Sequence, residues 1–297
     1  MSLQCRGRAL VLLVFVSTAT AALIAHLFCW TNTLFDHDSL LVVQVDQAKE
    51  IALGRPFQHL YLYFRGLVVA PWLIGIIGTV FLVLSNLAIC KALDIYSRGF
   101  VIAFCCIMTT SPFVTLLNAT YITWYDVYML SLLLSCVAVL LCKLYRHGWI
   151  IGSILVCASM GLYQAYLQVA LVIIAGICLT NLLRNTEKIQ FLFYIKAAGM
   201  VIAGAWLYFI VAKYTQLFMG VNESTGYNSL ASAFQFSETF IQELVHAWLA
   251  PLSYLLFPET HMVRVSGLVS LVLMFVLIAT VIWLCFKINC KNIELLS

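Results

Sequence analysis

The chain has 297 residues, 64% of them hydrophobic and 9% charged, with sixteen Lys+Arg against twelve Asp+Glu. A mean hydropathy of +1.03, where soluble globular domains carry about 25% charged residues, excludes a soluble enzyme built on one large core. The net charge of +4 is spread among the polar segments and forms no concentrated patch, so nucleic acid is not expected as a partner.

Apolar runs of about 18 residues or more mark transmembrane helices. Eight are expected, near 9–30, 67–90, 100–117, 127–142, 149–164, 167–183, 191–212 and 265–286. The chain therefore reads as an all-α integral membrane protein, one polytopic domain over 1–297. Its first run follows Arg6 and Arg8 and passes small residues at "STATAA", which is also the layout of a signal peptide. The apolar character continues past them to Trp30, about 22 residues from Ala9, so an uncleaved first span is expected. Between 149 and 183, basic flanks on both sides (Lys143, Arg146 and His147 before, Arg184 and Lys188 after) imply an even number of crossings. The hairpin would turn at "GLYQAY", 161–166; a single tilted or re-entrant pair is the alternative.

Charge then sets an orientation. With the N-terminus in the cytoplasm, the cytoplasmic segments hold Arg6, Arg8, Lys91, Arg98, Lys143, Arg146, Arg184, Lys188, Lys196, Lys287 and Lys291. The outer side keeps Lys49, Arg55, Arg65, Lys213 and Arg264, the minority that the positive-inside rule requires. Acidic residues divide the other way, with Asp36, Asp38, Asp46, Glu50, Asp126, Glu223, Glu238, Glu243 and Glu259 outside. Acidic side chains contribute little to topology, so their surplus on one face suggests chemistry there. The two large outer loops are 31–66 and 213–264. The second contains "LVHAWLAPLSYLLF", too short to span and broken by Pro251.

The first outer loop carries Asp36, His37 and Asp38 directly after the first span. From Ser39 to Leu53, Leu41, Val45, Ala48 and Ala52 follow helical spacing, with Asp46, Lys49 and Glu50 opposite, and Gly54 ends the run. An amphipathic helix lying in the membrane surface is expected. Asp38 or Asp36 would be its N-cap, a role compatible with an ionised, fixed general base. Side chains at i and i+2 do not share a helical face, so one aspartate would do chemistry while the other binds or orients substrate. Beyond the helix come Arg55, His59, Tyr61, Tyr63 and Arg65. Arginine suits bidentate phosphate contact, whereas the tyrosines also read as an aromatic belt.

Further along, Tyr121 and Asp126 either line a donor site or serve as belt aromatic and helix cap. Tyr163, Gln164 and Tyr166 offer a polar lining at a tight turn. Lys213 reads as a snorkelling cation. His26, alone inside the first span, is expected to bond a neighbouring helix rather than react. His246 and His261 are too far apart to argue a metal pair. The eleven cysteines lie mostly in apolar runs without a CxxC, and no metal site is expected.

"FDHDSLLV", "LGRPFQHLYLYFRG", "LLNATYITWYDVYMLSLLL" and "GLYQAYLQVAL" resemble, in that order over roughly residues 31 to 215, the O-antigen glucosyltransferases that modify lipopolysaccharide and change bacterial serotype. Those are multi-span enzymes of the GT-C class. The resemblance implies transfer of glucose from a polyprenyl-phosphate donor to O-antigen on the periplasmic face of the bacterial inner membrane, with no cofactor beyond that donor. It implies Asp38 first, and Asp36 second, as the catalytic carboxylate; the residues themselves offer His37, Arg55, Arg65, Tyr121, Asp126, Tyr163 and Gln164 as candidates for binding substrate. A flippase and a polyprenyl-phosphate glucosyltransferase of the same pathway would be its partners. Members of that family commonly run longer, so this chain is expected to lack a C-terminal portion present in longer relatives. The rival readings are a lipid-linked sugar flippase or transporter and an inactive accessory protein. Transporters place ionisable groups near the bilayer midplane, whereas here carboxylates gather in outer loops, which favours the enzyme.

Overall fold

The computed structural model describes residues 7–32, 47–66, 70–183 and 191–223. Every regular element among them is helical. The expected span at 265–286, the last loop beyond 223, and Asp36, His37 and Asp38 lie outside the described residues. The helices are α1 (Arg8–Thr31), α2 (Gln47–Ala52), α3 (Pro56–Arg65), α4 (Pro71–Ala92), α5 (Arg98–Thr109), α6 (Pro112–Thr120), α7 (Tyr125–Leu144), α8 (Gly148–Leu162), α9 (Leu167–Leu183) and α10 (Phe191–Phe218). Short 3-10 turns at Ile122–Trp124 and Gln164–Tyr166 lead into α7 and α9.

Among the described residues, six stretches are long and apolar enough to cross a bilayer: Arg8–Thr31, Pro71–Ala92, Arg98–Thr120, Ile122–Leu144, Gln164–Asn181 and Phe191–Phe218. The span expected at 149–164 is α8, which has only 15 residues. At 1.5 Å per residue it is about 22 Å long, short of the ~30 Å hydrocarbon core. It nevertheless runs antiparallel to α7 and closes with a turn at 163–166, where the hairpin is expected.

The stretch expected as one span at 100–117 is two helices. Pro112 has no N–H to donate and its ring crowds the Met108 carbonyl, so α5 stops at Thr109 and α6 restarts at Pro112. Ser111 caps the restart, its hydroxyl accepting from the Val114 N–H at 3.4 Å. Ser111 Oγ also donates to the Met108 carbonyl at 3.0 Å. The Thr109 carbonyl is met from another helix by His26 Nε2 at 2.9 Å. Non-helical backbone at membrane depth persists only where such partners exist, and His26 thus has the interhelical role expected of it.

Packing follows small residues and buried hydrogen bonds. α1 packs on α4 and α5, α4 on α7, α7 on α8, and α8 on α10, with α9 beside α7. Trp30 lies against Gly75, where a Cβ would come within 2.6 Å of the indole, and its Nε1 donates to Asn118 Oδ1 at 2.7 Å. That one side chain ties α1 to α4 and α6. Between α8 and α10, Gly204 sits against Val156 and the Ser153 carbonyl with no room for a Cβ. Ser131 and Ser135 of α7 meet the Ser159 hydroxyl at 3.0 and 2.8 Å. At the end where α4 and α7 finish, Lys143 Nζ bonds Asp94 at 2.9 Å and the Ala92 carbonyl at 2.7 Å.

The His26 bond has a measurable consequence. His26→Leu leaves the Thr109 carbonyl buried without its donor and costs about 1–3 kcal/mol of stability. His26→Gln, which restores an N–H, recovers part of that loss. Thermal unfolding in detergent checks both, and an unchanged His26→Leu midpoint would contradict the role.

Candidate functional site

The polar side chains gather where α1 ends, and the turn between α2 and α3 is their scaffold. Gly54 adopts φ +77°, donates to Ile51 O at 2.9 Å, and is followed by Arg55 donating to Glu50 O at 2.9 Å. This is a Schellman ending, which needs a residue free to take positive φ and places Arg55 back over Glu50. The bundle also bonds the carbonyls of the turn. Gln216 Nε2 of α10 reaches Ile51 O at 3.1 Å. Gln164 Nε2 reaches Leu53 O at 2.6 Å, and Tyr208 Oη reaches Gly54 O at 2.9 Å.

This docking corrects the helical face expected from sequence. Ala48 is exposed, and the buried centre of α2 is Ile51, 1% exposed. Glu50, expected on the solvated side, points into the site. The described part of the helix caps the end of the bundle because its C-terminal carbonyls are bonded by α10 and the α8–α9 turn.

Arg55 is held from three sides. Its Nη1 lies 3.1 Å from Glu50 Oε2, its Nε donates to Gln164 Oε1 at 3.4 Å, and its guanidinium stands 4.7 Å above the Tyr163 ring. Tyr163 packs edge-on against Tyr128 at 4.7 Å, and Tyr166 closes the aromatic group. Glu50 also receives the Gln58 amide at 3.2 Å when that amide is oriented to donate. The Arg55 and Glu50 side chains remain 17% and 12% exposed, so the cluster is fixed yet reachable. An arginine stacked on an aromatic ring with its fork only partly used can take an anion.

A second pair lies deeper. Arg65 Nη1 is 2.7 Å from Asp126 Oδ1, with side chains 5% and 0% exposed. Arg65 also donates to Thr123 O at 2.9 Å. Asp126 accepts from the Tyr61 hydroxyl at 2.8 Å and from the Val127 N–H at 2.9 Å. Both carboxylate oxygens are therefore engaged. Burial, and then the Asp126 charge, push the Tyr61 phenol above its ordinary range, so it stays a hydrogen-bond donor at any physiological pH. The pair fastens the end of α3 to the start of α7.

Of the residues singled out from sequence, Arg55, Tyr163 and Gln164 come together, and Arg65 meets Asp126. Tyr121 is half-buried at the end of α6, its N–H bonded to Leu117 O at 3.0 Å. Sequence reasoning passed over Glu50, Gln58, Tyr128 and Tyr208 as site residues. A signal existed for Glu50: it stands five residues before Arg55 across the helix-ending Gly54, the spacing a Schellman turn folds together.

Removing one member of the buried pair leaves a charge unpaired in low dielectric. Arg65→Ala or Asp126→Ala is expected to cost about 3–5 kcal/mol, while Arg65→Met with Asp126→Leu costs far less. A double-mutant cycle on thermal unfolding in detergent measures the coupling; additive losses would mean the two do not act as a pair.

The family model described as "Glucosyl transferase GtrII" matches residues 27–296. No curated protein and no solved structure matches the chain. The matched stretch takes in the end of α1, the α2–α3 turn with Arg55, and the start of α7 with Asp126. The chain belongs to the glucosyl transferase GtrII family, the O-antigen serotype-converting glucosyltransferases, set in a helical membrane scaffold.

Proposed function

We propose that the protein transfers glucose from a polyprenyl-phosphate carrier to O-antigen at the periplasmic face of the bacterial inner membrane. The observation that carries this reading is the Arg55 cluster. It is a partly exposed guanidinium, buttressed by Tyr163 and Gln164, at the end of the bundle where α1 and α2 meet the loop bearing Asp36 and Asp38. Asp38 is seven residues past Thr31, so the chain can carry it at most about 25 Å from the end of α1.

The charge pattern supports the orientation. Among described residues, Arg8, Lys91, Arg98, Lys143, Arg146 and Lys196 stand towards the end where α1 begins, and only Lys49, Arg55, Arg65 and Lys213 towards the other. The positive-inside rule puts the first end in the cytoplasm.

In the reaction, Asp38 takes the proton of the acceptor hydroxyl as its oxygen attacks the anomeric carbon of the lipid-linked glucose. The carbon–oxygen bond to phosphate breaks, its electron pair leaves with the phosphate, and the anomeric configuration inverts. Arg55 stabilises the charge developing on that phosphate. Asp36 and His37 orient the sugar, with Tyr121, Tyr163 and Gln164 lining its site. Arg65 and Asp126 act at one remove, by holding α3.

Asp38→Asn is expected to lower transfer about 10²–10⁴-fold while the protein still inserts in membranes. Arg55→Ala should depress turnover strongly and Arg55→Lys less so, because lysine keeps the charge but not the fork. Membranes incubated with radiolabelled polyprenyl-phosphate glucose and O-antigen acceptor provide the readout. Normal transfer by Asp38→Asn would remove the base assignment.

A further inference from the structure

At the end of the bundle opposite the Arg55 cluster, α1 and α4 leave an apolar groove between them. Its volume is about 620 Å³, and Val11, Leu12, Phe15, Val80, Leu84 and Leu87 line it. Its mouth is formed by Gly7, Arg8 and Lys91. A second, more polar recess of about 460 Å³ shares Gly7 and Lys91 and contains Asp94 and Lys143.

The charges at this mouth do not cancel. Lys143 pairs with Asp94 at 2.9 Å. Arg8 and Lys91 are exposed and pair with no carboxylate among the described residues. Arg55, Arg65 and Lys213 differ in being paired, with Glu50, Asp126 and Glu223. Two uncompensated cations therefore stand at the polar end of an apolar slot.

The length of the slot identifies its occupant. From Arg8 to Phe15 on α1 and from Val80 to Lys91 on α4, the lining covers about 10 and 16 Å of helix. Half of a ~30 Å hydrocarbon core is about 15 Å, so the groove matches one leaflet. An acyl chain fills that length, whereas a polyprenyl tail far exceeds it. Basic pockets between transmembrane helices at a membrane surface select anionic headgroups.

We propose that the α1–α4 groove is a binding site for an anionic phospholipid, its acyl chain lying along Val11, Phe15 and Leu84 and its phosphate between Arg8 and Lys91. The lipid stands beside α1, the span that leads into the loop with Asp36 and Asp38, on the side where α1 faces α4. The site needs neither sugar donor nor acceptor, so its test is independent of the transfer reaction.

Native mass spectrometry of the full-length protein in detergent, with equal amounts of phosphatidylglycerol and phosphatidylcholine, tests this. The wild type should retain phosphatidylglycerol in preference. Arg8→Gln and Lys91→Gln should each weaken that retention about fivefold, and both together about 25-fold. Lys49→Gln, exposed at the opposite end, should leave it unchanged. Leu84→Trp fills the groove with the cations intact and should reduce retention of the chain itself. It also decides the matter if the double-glutamine variant does not fold. Equal retention of the two lipids by the wild type, or full retention by Leu84→Trp, overturns the proposal. Added undecaprenyl phosphate displacing phosphatidylglycerol would also overturn it, by assigning the groove to a carrier lipid.

Discussion

Hydrocarbon supplies no hydrogen bonds, so a carbonyl released from its helix must find a donor on another helix or the fold loses several kcal/mol. This constraint explains where the polar residues of an otherwise apolar chain are placed. His26 meets the carbonyl freed before Pro112. Gln216, Gln164 and Tyr208 meet the carbonyls of the turn that ends α2. Each break in the helical ladder is also a join between distant segments, because the donor comes from 83 residues away at Thr109 and 154 at Gly54.

The same joins prepare the site. A Schellman turn brings Arg55 over Glu50, and the Gln164 amide that holds that turn by its nitrogen also accepts from Arg55 by its oxygen. One side chain thus does structural and orienting work at once. The Arg65–Asp126 pair lies deeper and differs in kind. With both carboxylate oxygens occupied and the guanidinium nearly enclosed, it has little to offer a substrate and much to offer the position of α3. Burial separates the two arginines, which the chain presents ten residues apart in a similar basic and aromatic setting.

The two ends of the bundle carry opposite kinds of polar surface. Where α1 finishes, acidic and basic side chains neutralise one another inside a network of tyrosines. Where α1 begins, cations stand uncompensated beside an apolar groove. A membrane protein meets different solvents at its two faces, and the proposed transfer site at one end and the proposed anionic lipid site at the other both draw on that asymmetry.

Membrane class, the helical nature of every described element and six of the spans were legible in the sequence, because hydrocarbon selects for long uncharged runs regardless of what packs against them. The turn at 163–166, the ending at Gly54 and the interhelical role of His26 were legible too, since each follows from local chemistry. The break at Thr110 and Ser111 that divides an apolar stretch into α5 and α6 could not be weighed by hydropathy, which averages across a proline. The ends of α8 lie within two residues of those expected; its 15 residues are simply fewer than a bilayer crossing needs. The face of α2 that is buried, the entry of Glu50 into the site and the partition of roles between Arg55 and Arg65 were decided only in three dimensions. Their reason is common: each depends on which carbonyl or carboxylate a distant helix brings within about 3 Å, and sequence spacing holds no record of that distance.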